Sequence, residues 1–412
     1  MARNGNPENY ELVIDECIRL LQDRIDYYQK IKPSPAMHEA AMAWIVGELE
    51  GHLPFEELDM RCLTIFAFSG VSIRKGTRNE ARHAYRAVGL LLLTLRDGSP
   101  GPLLDEAFPA LSKTIQGHTD APPALVAAAI DCLAAASFAG ARHVERSMDA
   151  LWRVVVPPAA RSRSAAKAKK IRGAPETSPV VVAAAVSAWT FLLTTVIPAT
   201  NTRQRKADRA GWSAAVASLA KLLDADDRRV RMAAGEALAV CVELNLLTEG
   251  KDMDALAAKA SDLAAESASK GANNAFLREQ KELFGRIAAF LDHDEPPATS
   301  VRTSLERHGV MKVSTWVRLV QLNFLRKFLG KGFLKHAQGN PLLNEAFRLG
   351  RLEGKPLSIQ NKGSGMTIDD LLRDLNSRRD WHSWLCYNIF DLTQVVGITT
   401  RWPEMLLQLG WH

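Results

Sequence analysis

The chemistry-bearing residues of this chain are concentrated in one run, Ser314 to His336. Arg318, Arg326, Lys327, Lys331 and Lys335 stand there beside Trp316, Phe324, Phe328 and Phe333. Guanidinium and ammonium groups grouped in this way attract phosphates, independently of sequence and with a strong salt dependence. Aromatic rings among them are of the kind that stack on exposed bases. The spacing predicts an amphipathic helix, broken at the Gly330/Gly332 pair, with one basic and one apolar side. Trp316 and Phe333 are read as the stacking candidates, Phe324 and Phe328 as core. Between residues 299 and 350 there are nine Lys or Arg against two Glu. A segment of this kind points to binding of an acidic partner rather than to a reaction.

Motifs of catalysis are missing from the rest of the chain. No G-x-G-x-x-G follows a strand pattern, and the phosphate-loop, H-E-x-x-H and G-x-S-x-G signatures are not found. Gly363-Ser364-Gly365 is a flexible tract and not a nucleophile elbow. His293-Asp294-Glu295 are adjacent in sequence, which does not let them converge on one ion unaided. The five cysteines, Cys17, Cys62, Cys132, Cys241 and Cys386, are scattered and never form C-x-x-C. That argues against a zinc site or a disulfide scaffold and fits a reducing compartment. No enzyme activity, metal, cofactor or small-molecule substrate is expected.

The elements that must position the basic run are helical. The chain has 412 residues, 47% of them hydrophobic and only 7% aromatic. The apolar residues are mainly Ala, Leu and Val, a helix-forming mixture apart from Val. Apolar periodicity predicts helices over 10–30, 36–50, 56–69, 78–96, 102–116, 122–138, 142–156, 180–197, 210–223, 229–245, 253–268 and 275–291. Asp224 to Asp227 reads as a turn and helix N-cap. No sustained period of two is present, so strands are not expected. Helix pairs recur about every 35–45 residues, the period of HEAT or armadillo arrays. The fold class is therefore all-α: an armadillo/HEAT-like helical-repeat solenoid followed by a short basic helical C-terminal module. The organisation is N-terminal helices at 1–55, a repeat domain at 56–291, an acidic Pro-containing linker, the basic module at 299–350 and a tail at 351–412.

Residues 157–179 interrupt the array between proline pairs. Arg161, Arg163, Lys167, Lys169, Lys170 and Arg172 lie there with no acid between them, as a basic loop suited to nuclear import or RNA contact. Net charge is +6 and the pI about 9.0, which permits an acidic partner without demanding one. Apolar stretches such as Ala87 to Leu95 are shorter than a membrane span needs. Residues 1–9 lack the apolar core of a secretory signal. The expected location is the cytoplasm, with the nucleus as second compartment.

Five stretches resemble the interferon-related developmental regulator family, particularly its plant-like members. They are Ala84–Leu91; Glu145–Met148 with Leu151-Trp152; Ser187–Val196; Asp226–Val240; and the basic run itself, continued by Gln338–Phe347. The resemblance covers about residues 56–350 and is weaker over the first 55. It implies a helical-repeat domain followed by a short family-specific C-terminal domain, with no known enzymatic activity. It also implies two modes of action. Family members are associated with transcriptional co-regulation through histone-deacetylase corepressors. At least one animal member is associated with binding and silencing inactive ribosomes, with a basic C-terminal helix in the mRNA path. This chain departs from the family pattern in its tail. Residues 351–412 carry mixed charges and then Trp381, Trp384, Trp402 and Trp411, instead of a Lys/Arg-rich end.

Two functional expectations follow. The first is a ribosome- or RNA-associated regulator of translation, acting through Arg318, Arg326, Lys327, Lys331, Lys335, Trp316 and Phe333 on ribosomal RNA. The alternative is a co-regulator scaffold that holds protein partners, such as a corepressor complex, on the concave face of the array.

Overall fold

The computed structural model of the chain describes residues 7–22, 34–51, 58, 61–95, 100–117, 120–140, 144–156, 177–196, 202–247, 251–269, 275–302 and 310–347. These lie in one compact unit, Met1–Arg96 with Pro100–Gly354. A second unit, Asp97–Ser99 with Lys355–His412, lies outside the described residues. So do the basic loop from Arg161 to Arg172 and the Trp-rich tail.

The elements are α1 (Pro7–Gln22), α2 (Pro35–Glu50), α3 (Cys62–Lys75), α4 (Arg78–Thr94), α5 (Pro100–Gln116), α6 (Pro123–Gly140), α7 (Val144–Val155), α8 (Pro179–Val196), α9 (Thr202–Leu222), α10 (Arg228–Glu243), α11 (Lys251–Ser269) and α12 (Ala275–His293). Starts are set by local chemistry. Ser34 accepts from the Met37 N–H, and Pro35 occupies the first turn of α2. Thr77 and Glu80 form a reciprocal capping box on α4, with bonds of 3.1 and 3.3 Å. Asp227 caps α10 through the Arg229 N–H at 2.8 Å, within the turn read from sequence.

Packing sorts the helices into two rows. Along one row α2 packs on α4, α4 on α6, α6 on α8, α8 on α10 and α10 on α12. Each of these also packs on its hairpin partner: α3 on α4, α5 on α6, α7 on α8, α9 on α10 and α11 on α12. The fold is an all-α helical-repeat solenoid, because each amphipathic pair buries its apolar face only against its neighbours. Central members of the even-numbered row are covered on nearly every side. Ala183, Val186, Trp189, Phe191 and Leu193 of α8 are all buried.

This corrects one reading of the sequence. α6 and α8, at 18 residues each, are long and apolar enough by length and composition to cross a membrane. Here their apolarity is used within the array.

After α12 two short strands appear where none was expected. β1 (Thr299–Arg302) pairs antiparallel with β2 (Val310–Val313), in a register that sets Thr299 opposite Val313 and Arg302 opposite Val310. Four-residue strands are too short to show a period of two. The alternation is confined to these few positions: Met311 and Val313 are buried against exposed Val310 and Lys312, and Val301 is buried beside exposed Ser300.

Candidate nucleic-acid interface

The basic run folds as α13 (Trp316–Leu329), a 3-10 turn (Gly330–Gly332) and α14 (Phe333–Gly339), followed by α15 (Pro341–Phe347). Thr315 caps α13 by accepting from the Arg318 N–H at 3.2 Å. The break falls at the glycine pair for a steric reason. Gly330 has φ +55°, a region that L side chains rarely adopt. A Cβ at Gly332 would overlap the Glu50 carbonyl oxygen.

The module does not follow the array as a separate body. α13 packs on α6, α8 and α10, and the 3-10 turn reaches α2. It thus runs back along the even-numbered row, and each helix it crosses supplies a contact. Glu243, at the end of α10, accepts the Trp316 and Val317 N–H groups at 2.8 and 2.7 Å. A carboxylate at that helix start opposes the positive end of the dipole and satisfies donors that lack a partner in the helix. Gln321 donates to Thr194 of α8 at 3.0 Å. The Phe324 ring stacks on Phe191 of α8 at 4.1 Å. Phe328 sits over Gly89 of α4, and Lys327 pairs with Asp131 of α6 at 3.0 Å. The His336 ring nitrogen Nε2 hydrogen-bonds the Leu49 carbonyl of α2 at 3.0 Å, and Asn340 donates to the Leu93 carbonyl of α4 at 2.8 Å.

Acidic groups line this path, and burial raises their affinity for protons. Burial pushes the Glu236 carboxyl of α10 up to about 7, although a hydrogen bond from Asn323 and the charge of Arg286 pull it down. Burial also raises the Asp131 and Glu243 carboxyls, against the Lys327 ammonium and the α13 N–H groups respectively. The array face therefore offers an apolar floor with carboxylates, matched by α13 with aromatics and a lysine.

The sequence-predicted residues separate accordingly. Phe324 and Phe328 are core. Trp316 is fully buried and Phe333 is 6% exposed, so neither is free to stack on a base; this corrects their assignment as stacking residues. Their rings are consumed by packing, Trp316 beside Phe290 and Phe333 under the Arg326 guanidinium. Arg318 is half-buried and donates to the Ala346 carbonyl at 2.7 Å, which ties α13 to α15 and corrects its placement on the open basic side. Arg326, Lys327, Lys331 and Lys335 are exposed. Of these, Lys327 is held by Asp131. Arg326, Lys331 and Lys335 form no ion pair among the described residues. The even-numbered row of the array is covered along α2–α10 by the chain's own α13, 3-10 turn and α14.

Several positions that seat the module on the array escaped sequence reasoning: Glu50, Arg86, Asp131, Glu236, Glu243, His336 and Asn340. Glycines inside good helices were the available signal. A helical glycine costs about 1 kcal/mol relative to Ala and usually has a packing reason. A Cβ at Gly89 would lie 2.5 Å from Phe328, and one at Gly235 would lie 2.8 Å from Phe284 of α12.

Fold and site together define a helical-repeat protein with its own C-terminal helices seated on one row and an exposed cationic edge on those helices. Comparison with known proteins agrees with that class. The profile of the Interferon-related developmental regulator (IFRD) family matches residues 4–292, most of the chain. The chain belongs to this family. It is 28% identical to Interferon-related developmental regulator 2 of Mus musculus over 302 residues, 70% of this chain and 64% of that protein. It is 24% identical to Interferon-related developmental regulator 1 of Sus scrofa over 358 residues, 85% of this chain and 74% of that one. The chain thus spans less than two thirds of the mouse relative's length.

Proposed function

We propose that the chain is a non-enzymatic regulator that associates with RNA, and through ribosomal RNA with the ribosome, by the exposed edge of α13 and α14. One observation carries this reading. Arg326, Lys331 and Lys335 are exposed and outside any ion pair among the described residues, on helices whose opposite side is locked into the core. The seated backbone sets the spacing of these cations before a phosphate arrives, so only the side chains have to order on binding. The co-regulator alternative has less support. A peptide seeking the even-numbered row would have to displace Trp316, Phe324, Phe328 and Phe333, each of which gains about 1.5–3 kcal/mol by burial.

The test is sedimentation of the tagged protein through sucrose gradients, with nuclease-treated controls. Wild type is expected to travel with monosomes at low salt and to move toward the top as salt rises. Arg326→Glu/Lys331→Glu/Lys335→Glu should remain at the top at every salt. Unchanged co-migration of the triple variant would remove this edge from the mechanism.

A further inference from the structure

We propose that the phosphate-binding surface crosses the seam between module and array, and that Arg78 and Arg82 of α4 continue it. The inference rests on the RNA-binding reading above and extends it to residues outside the basic run.

The argument begins with α4. The module covers one stripe of this helix in order: Asn340 reaches the Leu93 carbonyl, Phe328 covers Gly89, and Gly330 meets Arg86. The Arg86 guanidinium lies 5.6 Å from the centre of the Phe328 ring and pairs with Glu50 through an Nε–Oε1 bond of 2.7 Å. Coverage then stops. The next turns of the same stripe carry Arg82 and Arg78, both exposed and neither in an ion pair among the described residues.

Arg78, Arg82 and Arg86 stand at i, i+4 and i+8, so like charges face one another along one side of the helix. Such pairs repel along a helix, and among the described residues only Arg86 is relieved of this by an ion pair, with Glu50. On the module side of the seam the exposed cations outside any ion pair among the described residues are Arg326, Lys331 and Lys335, carried by α13, the 3-10 turn and α14 in turn. The arginine row and the module cations approach each other where the Arg86 guanidinium lies beside Gly330, the residue before Lys331. His83, one turn from Arg86 on the same side, faces Arg82 and Arg86 with Glu39 and Glu50 of α2 opposite. Glu50 is occupied by Arg86, whereas the charge of Glu39, which accepts from the neutral Thr77 hydroxyl at 3.1 Å, offsets part of the arginine row. The remaining positive charge at the seam is balanced when a polyanion lies along it. A nucleic-acid backbone has the required chemistry: closely spaced phosphates that can follow a bent line of cations.

The full chain, titrated with fluorescein-labelled oligouridine across a salt series, tests this by anisotropy. Arg78→Glu/Arg82→Glu is expected to weaken binding at least severalfold. It should also lower the slope of log affinity against log salt by about 1.4, two phosphates at about 0.7 each for a single strand. Arg78→Lys/Arg82→Lys should bind close to wild type, because a phosphate needs the charge and not the guanidinium fork. Arg153→Glu/Arg278→Glu makes the same change in net charge at exposed sites elsewhere and should leave the slope unchanged. If Arg78→Glu/Arg82→Glu matches wild type while Arg326→Glu/Lys331→Glu/Lys335→Glu loses binding, the seam surface is refuted and the module reading stands. If wild type itself does not bind at low salt, both fall.

Discussion

Replacing Gly89 by alanine tests the seating of α13 with a sign rather than a size. Gly89 lies inside α4, where an exchange of Gly for Ala ordinarily stabilises by about 1 kcal/mol. Here the new methyl would stand 2.5 Å from Phe328 Cζ, 3.3 Å from Cε1 and 3.4 Å from Cys132 Cα. The ring would have to retreat by about 1 Å to reach ordinary contact distance. Its retreat is limited by the Phe324 ring, parallel at a centroid distance of 6.3 Å, and by the Arg86 guanidinium above it. Overpacking of this kind costs about 1–3 kcal/mol, so Gly89→Ala should destabilise by about 1 kcal/mol after the helical gain is subtracted.

In a Phe328→Leu background the shorter side chain leaves room for the methyl. The same substitution should then stabilise, by up to about 1 kcal/mol. Urea midpoints of the four proteins give the cycle, and the expected coupling between the two sites is about 1–3 kcal/mol. If Gly89→Ala stabilises in both backgrounds, Phe328 does not rest on α4 and the seating of the module is wrong.

Two further outcomes follow from the same contacts. Glu236 titrates at about 7 in the folded protein, above the ordinary carboxylate value of 4.5, so ionising it opposes folding. Its contribution is fully favourable below about pH 4.5 and is lost as pH rises through about 7. Asp131 and Glu243 shift in the same direction. Subtracting the melting curve of Glu236→Gln from that of wild type should therefore isolate a loss of stability between about pH 5 and 8, and a flat difference would refute the burial of this carboxyl. Ending the chain at His293, just past the family match, should uncover the apolar face of α4, α6, α8 and α10. The truncated protein should bind a hydrophobic dye and melt well below the full chain; an equally stable product would show that α13 and α14 are not part of this core.

Much of the array is legible in the order of residues. The helices expected at 36–50, 102–116, 122–138 and 180–197 agree with α2, α5, α6 and α8 within about two residues, because Ser34, the prolines and the apolar period all act locally. The glycine break at 330–332 is legible for the same reason. Four of the five stretches carrying the family resemblance correspond to α4, α8, α10 and α13–α15, helices that meet where the module is seated. What these stretches have in common is spatial, and no local pattern announces it.

Residue types and spacing by themselves determined the helical class, the repeat period, the basic character of residues 318–335 and the likeness to the family. Those are short-range properties, set by propensity, periodicity and charge along the chain. Only the tertiary structure decided that Trp316 and Phe333 are core and that Arg318 is tied to Ala346. It also decided that Lys327 belongs to Asp131 and that Arg326, Lys331 and Lys335 stay exposed and outside any ion pair among the described residues. These outcomes depend on which distant helix lies beneath each side chain. Glu243 and Trp316 are 73 positions apart, and Leu49 and His336 are 287. A helix pattern fixes which residues share a face, but burial of that face against a particular neighbour is settled by the packing of the whole array.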